Sequence, residues 1–225
     1  MNSQPILEIC TQTLAGVLAA DQGGADRIEF CSRLDLDGLT PDISALEEAC
    51  AATSLPVVAM LRPNPNFLLD SQVVRQMIAE MNPLRKSGAQ GFVLGGLNSQ
   101  GEIPYSVIKE FIAAADGLPV TFHRAFDQVP QKNLALERLK EIGVARLLTS
   151  GGRSRALENR AVLKALIDRA ENLQVIVGGG VRENQFPTLL ATGAAAFHSS
   201  LDYQPTAETV AGLKAALTAE NDSPA

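Results

Sequence analysis

Eight short apolar runs recur along this chain, and what precedes them alternates. Before the second, fourth, sixth and eighth stand Gly24-Ala25, Gly88-Ala89, Gly143-Val144 and Gly193-Ala194; before the first, third, fifth and seventh stand Gln4-Pro5, Leu55-Pro56, Leu118-Pro119 and Leu173-Gln174. A glycine there ends a helix, because the residue after the last turn takes a left-handed conformation that glycine adopts without a Cβ penalty. The runs predict strands over 6–11, 27–32, 57–62, 91–95, 120–125, 145–150, 174–178 and 195–200. Helical spacing fills the gaps: Leu14, Val17 and Leu18 on one face, Val73, Met77 and Met81 on another, and Leu136, Leu139 and Lys140 with Ile142 beyond on a third. Thr40-Pro41 before Asp42, and Asp127 before Pro130, read as helix starts. Strands apolar nearly throughout belong to a parallel sheet covered on both sides. Eight βα units with a two-unit period predict a single-domain α/β fold, the closed (β/α)8 TIM-type barrel. The competitor is an open doubly wound sheet; even spacing without a long insertion favours closure. The barrel is placed over residues 1–219, with the polar residues 220–225 as a frayed tail.

Charge narrows the function. At 225 residues and a net charge of -6, the chain offers no basic face for nucleic acid or for an anionic membrane surface. No basic, apolar leader opens it and no apolar run could span a bilayer, so a cytoplasmic location is expected. Cys10, Cys31 and Cys50 should then be thiols.

A barrel of this kind builds its active face at the carboxyl ends of its strands. The most pointed of these ends is Val120-Thr121-Phe122-His123-Arg124-Ala125-Phe126-Asp127, where an apolar strand runs into imidazole, guanidinium and carboxylate. The other ends carry Glu8 and Cys10, Glu29 and Cys31, Arg62, Gly95-Gly96, Thr149 to Gly152, Gly178-Gly179-Gly180, and His198-Ser199-Ser200. Alternation puts Glu8 on the face of Cys10 and Glu29 on the face of Cys31, pointing into the barrel. Buried carboxylates need partners, and Arg62 and Arg124 are the expected ones, in an ion network or in acid/base work. His123 suits a general acid/base near neutral pH, or a core histidine bonded to a glutamate; His198 is the weaker catalytic candidate and, followed by two serines, could instead only orient a loop. Gly178, Gly179 and Gly180 with Ser199 and Ser200 match the place where barrel enzymes hold a phosphate, or form a tight loop with no ligand. No lysine stands at a strand end, which argues against a Schiff base. His123, His198, Glu8 and Glu29 could gather round a divalent ion. Cys10 and Cys31 occupy equivalent positions on neighbouring strands; their sulfurs suit a soft ion such as Cu(I), or are inert core thiols. Cys50 is expected to be packing.

The blocks Leu7-Glu8-Ile9-Cys10, Gly24 to Cys31, Gly38-Leu39-Thr40-Pro41, Arg62-Pro63, Val120 to Asp127, Leu148 to Gly152, Gly178 to Arg182 and His198-Ser199-Ser200 resemble the CutC family of copper homeostasis proteins. The resemblance implies a TIM-type barrel, a cytoplasmic protein, a tendency to form homo-oligomers and a role in copper tolerance or trafficking. It also implies a Cu(I) site at Cys10 and Cys31. Some family members look longer around the last strand, so a covering loop there is expected to be absent.

Three expectations follow. One is a copper homeostasis protein that binds Cu(I) through Cys10 and Cys31. Another is a TIM-barrel enzyme of isomerase, lyase or hydrolase type acting on a small phosphorylated or anionic metabolite, with His123 as acid/base, Glu8 or Glu29 its partner and Arg62 and Arg124 as anion clamps. The last is a scaffold that works through an oligomer surface.

Overall fold

The computed structural model describes residues 4–219, so the expected tail at 220–225 lies outside the described residues. Strands and helices alternate along the chain: β1 (Ile6–Thr11), α1 (Leu14–Gln22), β2 (Arg27–Phe30), α2 (Ile43–Ala51), β3 (Val57–Met60), α3 (Ser71–Lys86), β4 (Phe92–Leu94), α4 (Tyr105–Ala114), β5 (Val120–Phe122), α5 (Lys132–Glu141), β6 (Arg146–Thr149), α6 (Arg160–Ala170), β7 (Gln174–Val177), α7 (Phe186–Leu190), β8 (Ala196–Ser199) and α8 (Ala207–Ala219). The strands are parallel and close in sequence order, β8 pairing back onto β1. This is the expected (β/α)8 barrel. Gly24, Gly88, Gly143 and Gly193 all take positive φ where the preceding helix stops, so the alternation in the sequence is the punctuation of the fold.

Seven of the eight predicted strands end early. β5 stops at Phe122, and Arg124–Gln128 forms a short 3-10 helix instead. Asp127 explains the turn. Rather than starting a helix before Pro130, its carboxylate reaches across to β6 and accepts from Thr149 Oγ1 at 2.5 Å, Ser150 Oγ at 2.8 Å and Ser150 N at 3.1 Å. The helix that follows starts at Lys132. One predicted helix face is also corrected. Val17 is buried, but Leu14 and Leu18 are exposed, because α1 turns its small residues Gly16, Ala19 and Ala20 inward. Val73, Met77 and Met81 of α3 are buried as expected.

The core is divided. The outward-facing strand residues, among them Leu7, Ile9, Ile28, Phe30, Phe92, Leu94, Phe122 and Phe197, pack with the helices in one large cluster. Among the described residues, two small apolar patches lie inside the barrel. Cys10, Cys31, Leu34, Val58, Met60 and Val93 form one; Leu148, Ile176 and Ala196, with Ile6, form the other. Buried polar and charged side chains of β1, β2, β5 and β8 occupy the rest of the interior.

Candidate functional site at the barrel mouth

Register builds the centre of the site. Glu8 on β1 stands beside Arg27 on β2 and His198 on β8, and Cys10 stands beside Glu29. Arg27 Nε donates to Glu8 Oε2, and His198 Nδ1 lies 2.8 Å from Glu8 Oε1. Burial alone would raise the Glu8 pKa, but the Arg27 charge and the His198 contact outweigh it and hold the carboxyl at about 2. An ionised carboxylate can only accept, so Nδ1 of His198 carries the proton. Burial lowers the His198 pKa, yet Glu29 and Glu8 override it and the net direction is up. Burial, reinforced by the nearby Glu8 charge, raises the Glu29 pKa.

The expected partners of the glutamates are thus corrected. Arg27, which alternation places on the same strand face as Glu29, does what was expected of Arg62 and Arg124. The Arg62 guanidinium is occupied by carbonyls instead: Leu36 at 2.9 Å, Gly38 at 2.8 Å, Asp37 at 3.2 Å, and Pro65. It pins the loops after β2 and β3 and lies over the Phe67 ring at 4.7 Å. Arg124 pairs with Asp127 at 3.0 Å and approaches Ser150 Oγ at 3.4 Å.

The two histidines lie in contrasting surroundings. His123 is buried, and burial with the neighbouring Arg62 charge drives its pKa down to about 3, so near neutral pH it is an uncharged hydrogen-bonding group. His198, the weaker of the two candidates in the sequence, sits among Glu8, Glu29 and Cys10. The ligating atoms of Cys10, Glu29 and His198 all lie within 4.8 Å of one another. Cys10 Sγ donates to Glu29 Oε1 at 3.2 Å and lies 3.7 Å from Cys31 Sγ. The contact with Cys31, together with burial, raises the Cys10 pKa well above the ordinary thiol range. Cys50 lies apart, packed against the large core cluster.

Above this floor opens a cavity of about 760 Å³, lined by Glu29, Arg62, His123, His198, Gly179, Gly180, Ser199 and Ser200 among others. Gly178 does not line it; a Cβ there would meet Leu148 Cδ1 at 2.7 Å, so packing accounts for that glycine. Gly179 and Gly180 have φ of 98° and 80°. The Ser199 hydroxyl is tied to the Val181 carbonyl at 3.1 Å. Arg153, Arg155 and Arg182 also line the mouth. Arg182 pairs with Asp202, whereas Arg153 and Arg155 form no ion pair among the described residues. These arginines belong to loops after β6 and β7, where no strand period marks them.

The CutC family model matches residues 5–203. The family protein CutC of Histophilus somni is 39% identical over 180 residues, covering 79% of this chain and 74% of that protein. The copper homeostasis protein cutC homolog of Homo sapiens is 37% identical over 198 residues, covering 87% of this chain and 72% of its own. A crystal structure of a CutC protein from Streptococcus agalactiae superposes with a TM-score of 0.80 at 28% identity, covering 86% of this chain and 97% of that one.

Two outcomes test the electrostatics. Arg27→Met leaves the Glu8 charge short of its main partner and should cost about 3–5 kcal/mol by urea denaturation. Adding Glu8→Gln should restore part of that loss, and strict additivity of the two changes would contradict the pairing. The second outcome concerns His123. Below its ordinary pKa of 6.5 the unfolded chain takes up a proton that the folded chain refuses until about 3, so stability falls across that window. Glu8 extends the fall, its contribution being complete above 4.5 and lost toward about 2; His198, shifted up, works in the opposite direction. Between about pH 7 and about pH 4.5, His123→Gln should lose less stability than the unaltered protein, and equal losses would contradict a buried neutral imidazole.

Proposed function

The chain belongs to the CutC family of copper homeostasis proteins, and on that premise we propose that it binds copper(I) through the paired thiols of Cys10 and Cys31. The observation that carries this is the 3.7 Å separation of the two buried sulfurs. Metal–sulfur bonds of about 2.3 Å from each side span such a gap, and two thiolates in a largely apolar pocket suit a soft monovalent ion. Cys31 packs with Leu34, Val58, Met60 and Val93, so water has little access to that side. Cys10 is the thiol that faces the cavity. Glu29 accepts its hydrogen bond and is placed to take the proton that copper displaces. Copper is cargo in this reading, entering by the mouth and leaving by it.

The proposed location is the cytoplasm. Thiols this close would oxidise where no reducing pool protects them, and no helix among the described residues is long and apolar enough to cross a membrane. We propose homo-oligomerisation as well, supported by the exposed Leu14 and Leu18 on α1 and Ile43 on α2.

A second reading draws support from Arg153 and Arg155 at the mouth, which copper does not need. In it the mouth binds a small anionic metabolite, as in an enzyme of isomerase, lyase or hydrolase type. His198, oriented by Glu8, would be the acid/base, and Gly179, Gly180 and the arginines would hold the anion.

For copper the test is direct. Cys10→Ser with Cys31→Ser should abolish stoichiometric Cu(I) binding in competition with a chromophoric chelator, with the circular dichroism spectrum unchanged. Retained stoichiometric binding in the folded double variant would refute the proposal.

A further inference from the structure

Copper at the cysteine pair leaves three buried polar atoms of the cavity wall without a partner: Oε2 of Glu29, Nε of Arg62 and Nε2 of His123. Each of these residues is no more than 5% exposed. Arg27, Thr121 and Arg146 also carry unpartnered atoms, but they do not line the cavity. Stranding a buried donor or acceptor costs about 1–3 kcal/mol, and folded proteins leave few of them. All three belong to residues that line one cavity, which points to a ligand there.

Their chemistry narrows its class. Nδ1 of His123 accepts from the Ala125 N–H at 3.3 Å, which leaves the ring proton on Nε2. His123 and Arg62 therefore present donors on one wall. On another wall Glu29 presents Oε2, 3.9 Å from His198 Nδ1 and out of hydrogen-bond reach of it. A hydroxyl both donates and accepts, so several hydroxyls would satisfy both walls, whereas an apolar or purely anionic ligand would satisfy only one. At the rim, Arg155 packs beside Gly180 and Arg124 beside Gly179; a Cβ on Gly180 would lie 3.2 Å from Arg155 Cδ, and one on Gly179 would lie 3.6 Å from Arg124 Cζ. Arg124 is paired with Asp127, but Arg155 and Arg153 form no ion pair among the described residues, and such guanidinium groups match a phosphate oxygen for oxygen.

We propose that the cavity binds a small phosphorylated polyol, with its phosphate at Arg153, Arg155 and the Gly179–Gly180 loop and its hydroxyls against Glu29, Arg62 and His123. This rests on the anion reading of the mouth and adds the floor contacts to it. A cavity of about 760 Å³ accommodates a ligand of this size.

Calorimetric titration of the copper-free protein tests it with four probes: ribose 5-phosphate, sorbitol 6-phosphate, butyl phosphate and inorganic phosphate. The tighter of the two polyol phosphates should bind at least about tenfold more strongly than butyl phosphate, because the analogue without hydroxyls strands the floor atoms. His123→Phe should lower that ratio severalfold and leave inorganic phosphate affinity unchanged, while Arg155→Ala should weaken all four probes. The ratio in the unaltered protein decides the matter even if a variant misfolds. Butyl phosphate binding as tightly as both polyol phosphates would overturn the floor assignment and leave the anion site standing. Absence of binding by all four would overturn both.

Discussion

A carboxylate that stays ionised inside a barrel governs the rest of this structure. Glu8 is 1% exposed, and moving such a charge out of water is prohibitive unless partners replace the hydration. Arg27 and His198 replace it from the two neighbouring strands, and only the β1–β2 and β1–β8 register brings them there. A slip of one residue on either side would turn the partner out of the barrel. The ion network thus ties barrel closure to the chemistry of the mouth, and it explains why the interior apolar patches are small and separate.

Two kinds of chemistry meet at Cys10. Its sulfur touches Cys31, in an apolar patch suited to a soft ion, and Glu29, in a hard polar wall suited to hydroxyls. Neither wall explains the other. The thiol pair needs no histidine at β5 and no arginine rim; the polar wall needs no second cysteine. Both walls border one cavity, so on the two proposals copper and a small anion would compete for the space above Cys10 or modify each other's binding there.

The frame was legible in the sequence because strand period, helix-ending glycines and strand-opening prolines are local signals. So was the Cys10–Cys31 approach, since both thiols point into the barrel from neighbouring strands, although the register pairs Cys10 with Glu29 and the sulfurs meet on the diagonal. The ion partners were not legible. Arg62 and Arg124 stood at strand ends and looked available, but backbone carbonyls took one and Asp127 took the other. Arg27 opens its strand and sits deeper in the barrel, and its role emerges only from the pairing of β2 with Glu8. The surroundings of the histidines were not legible for a similar reason. His123 has the more charged neighbours in sequence, yet the adjacent Arg62 guanidinium and burial keep it neutral. His198, followed by two serines, lies next to both glutamates across strand boundaries.

X-ray absorption at the copper edge of the Cu(I)-loaded protein addresses the copper assignment most directly. Bridging by Cys10 and Cys31 predicts two sulfur scatterers per copper in the first coordination shell. A shell with one sulfur and nitrogen or oxygen neighbours, as Cys10 with Glu29 and His198 would give, or a shell with no sulfur at all, would contradict it.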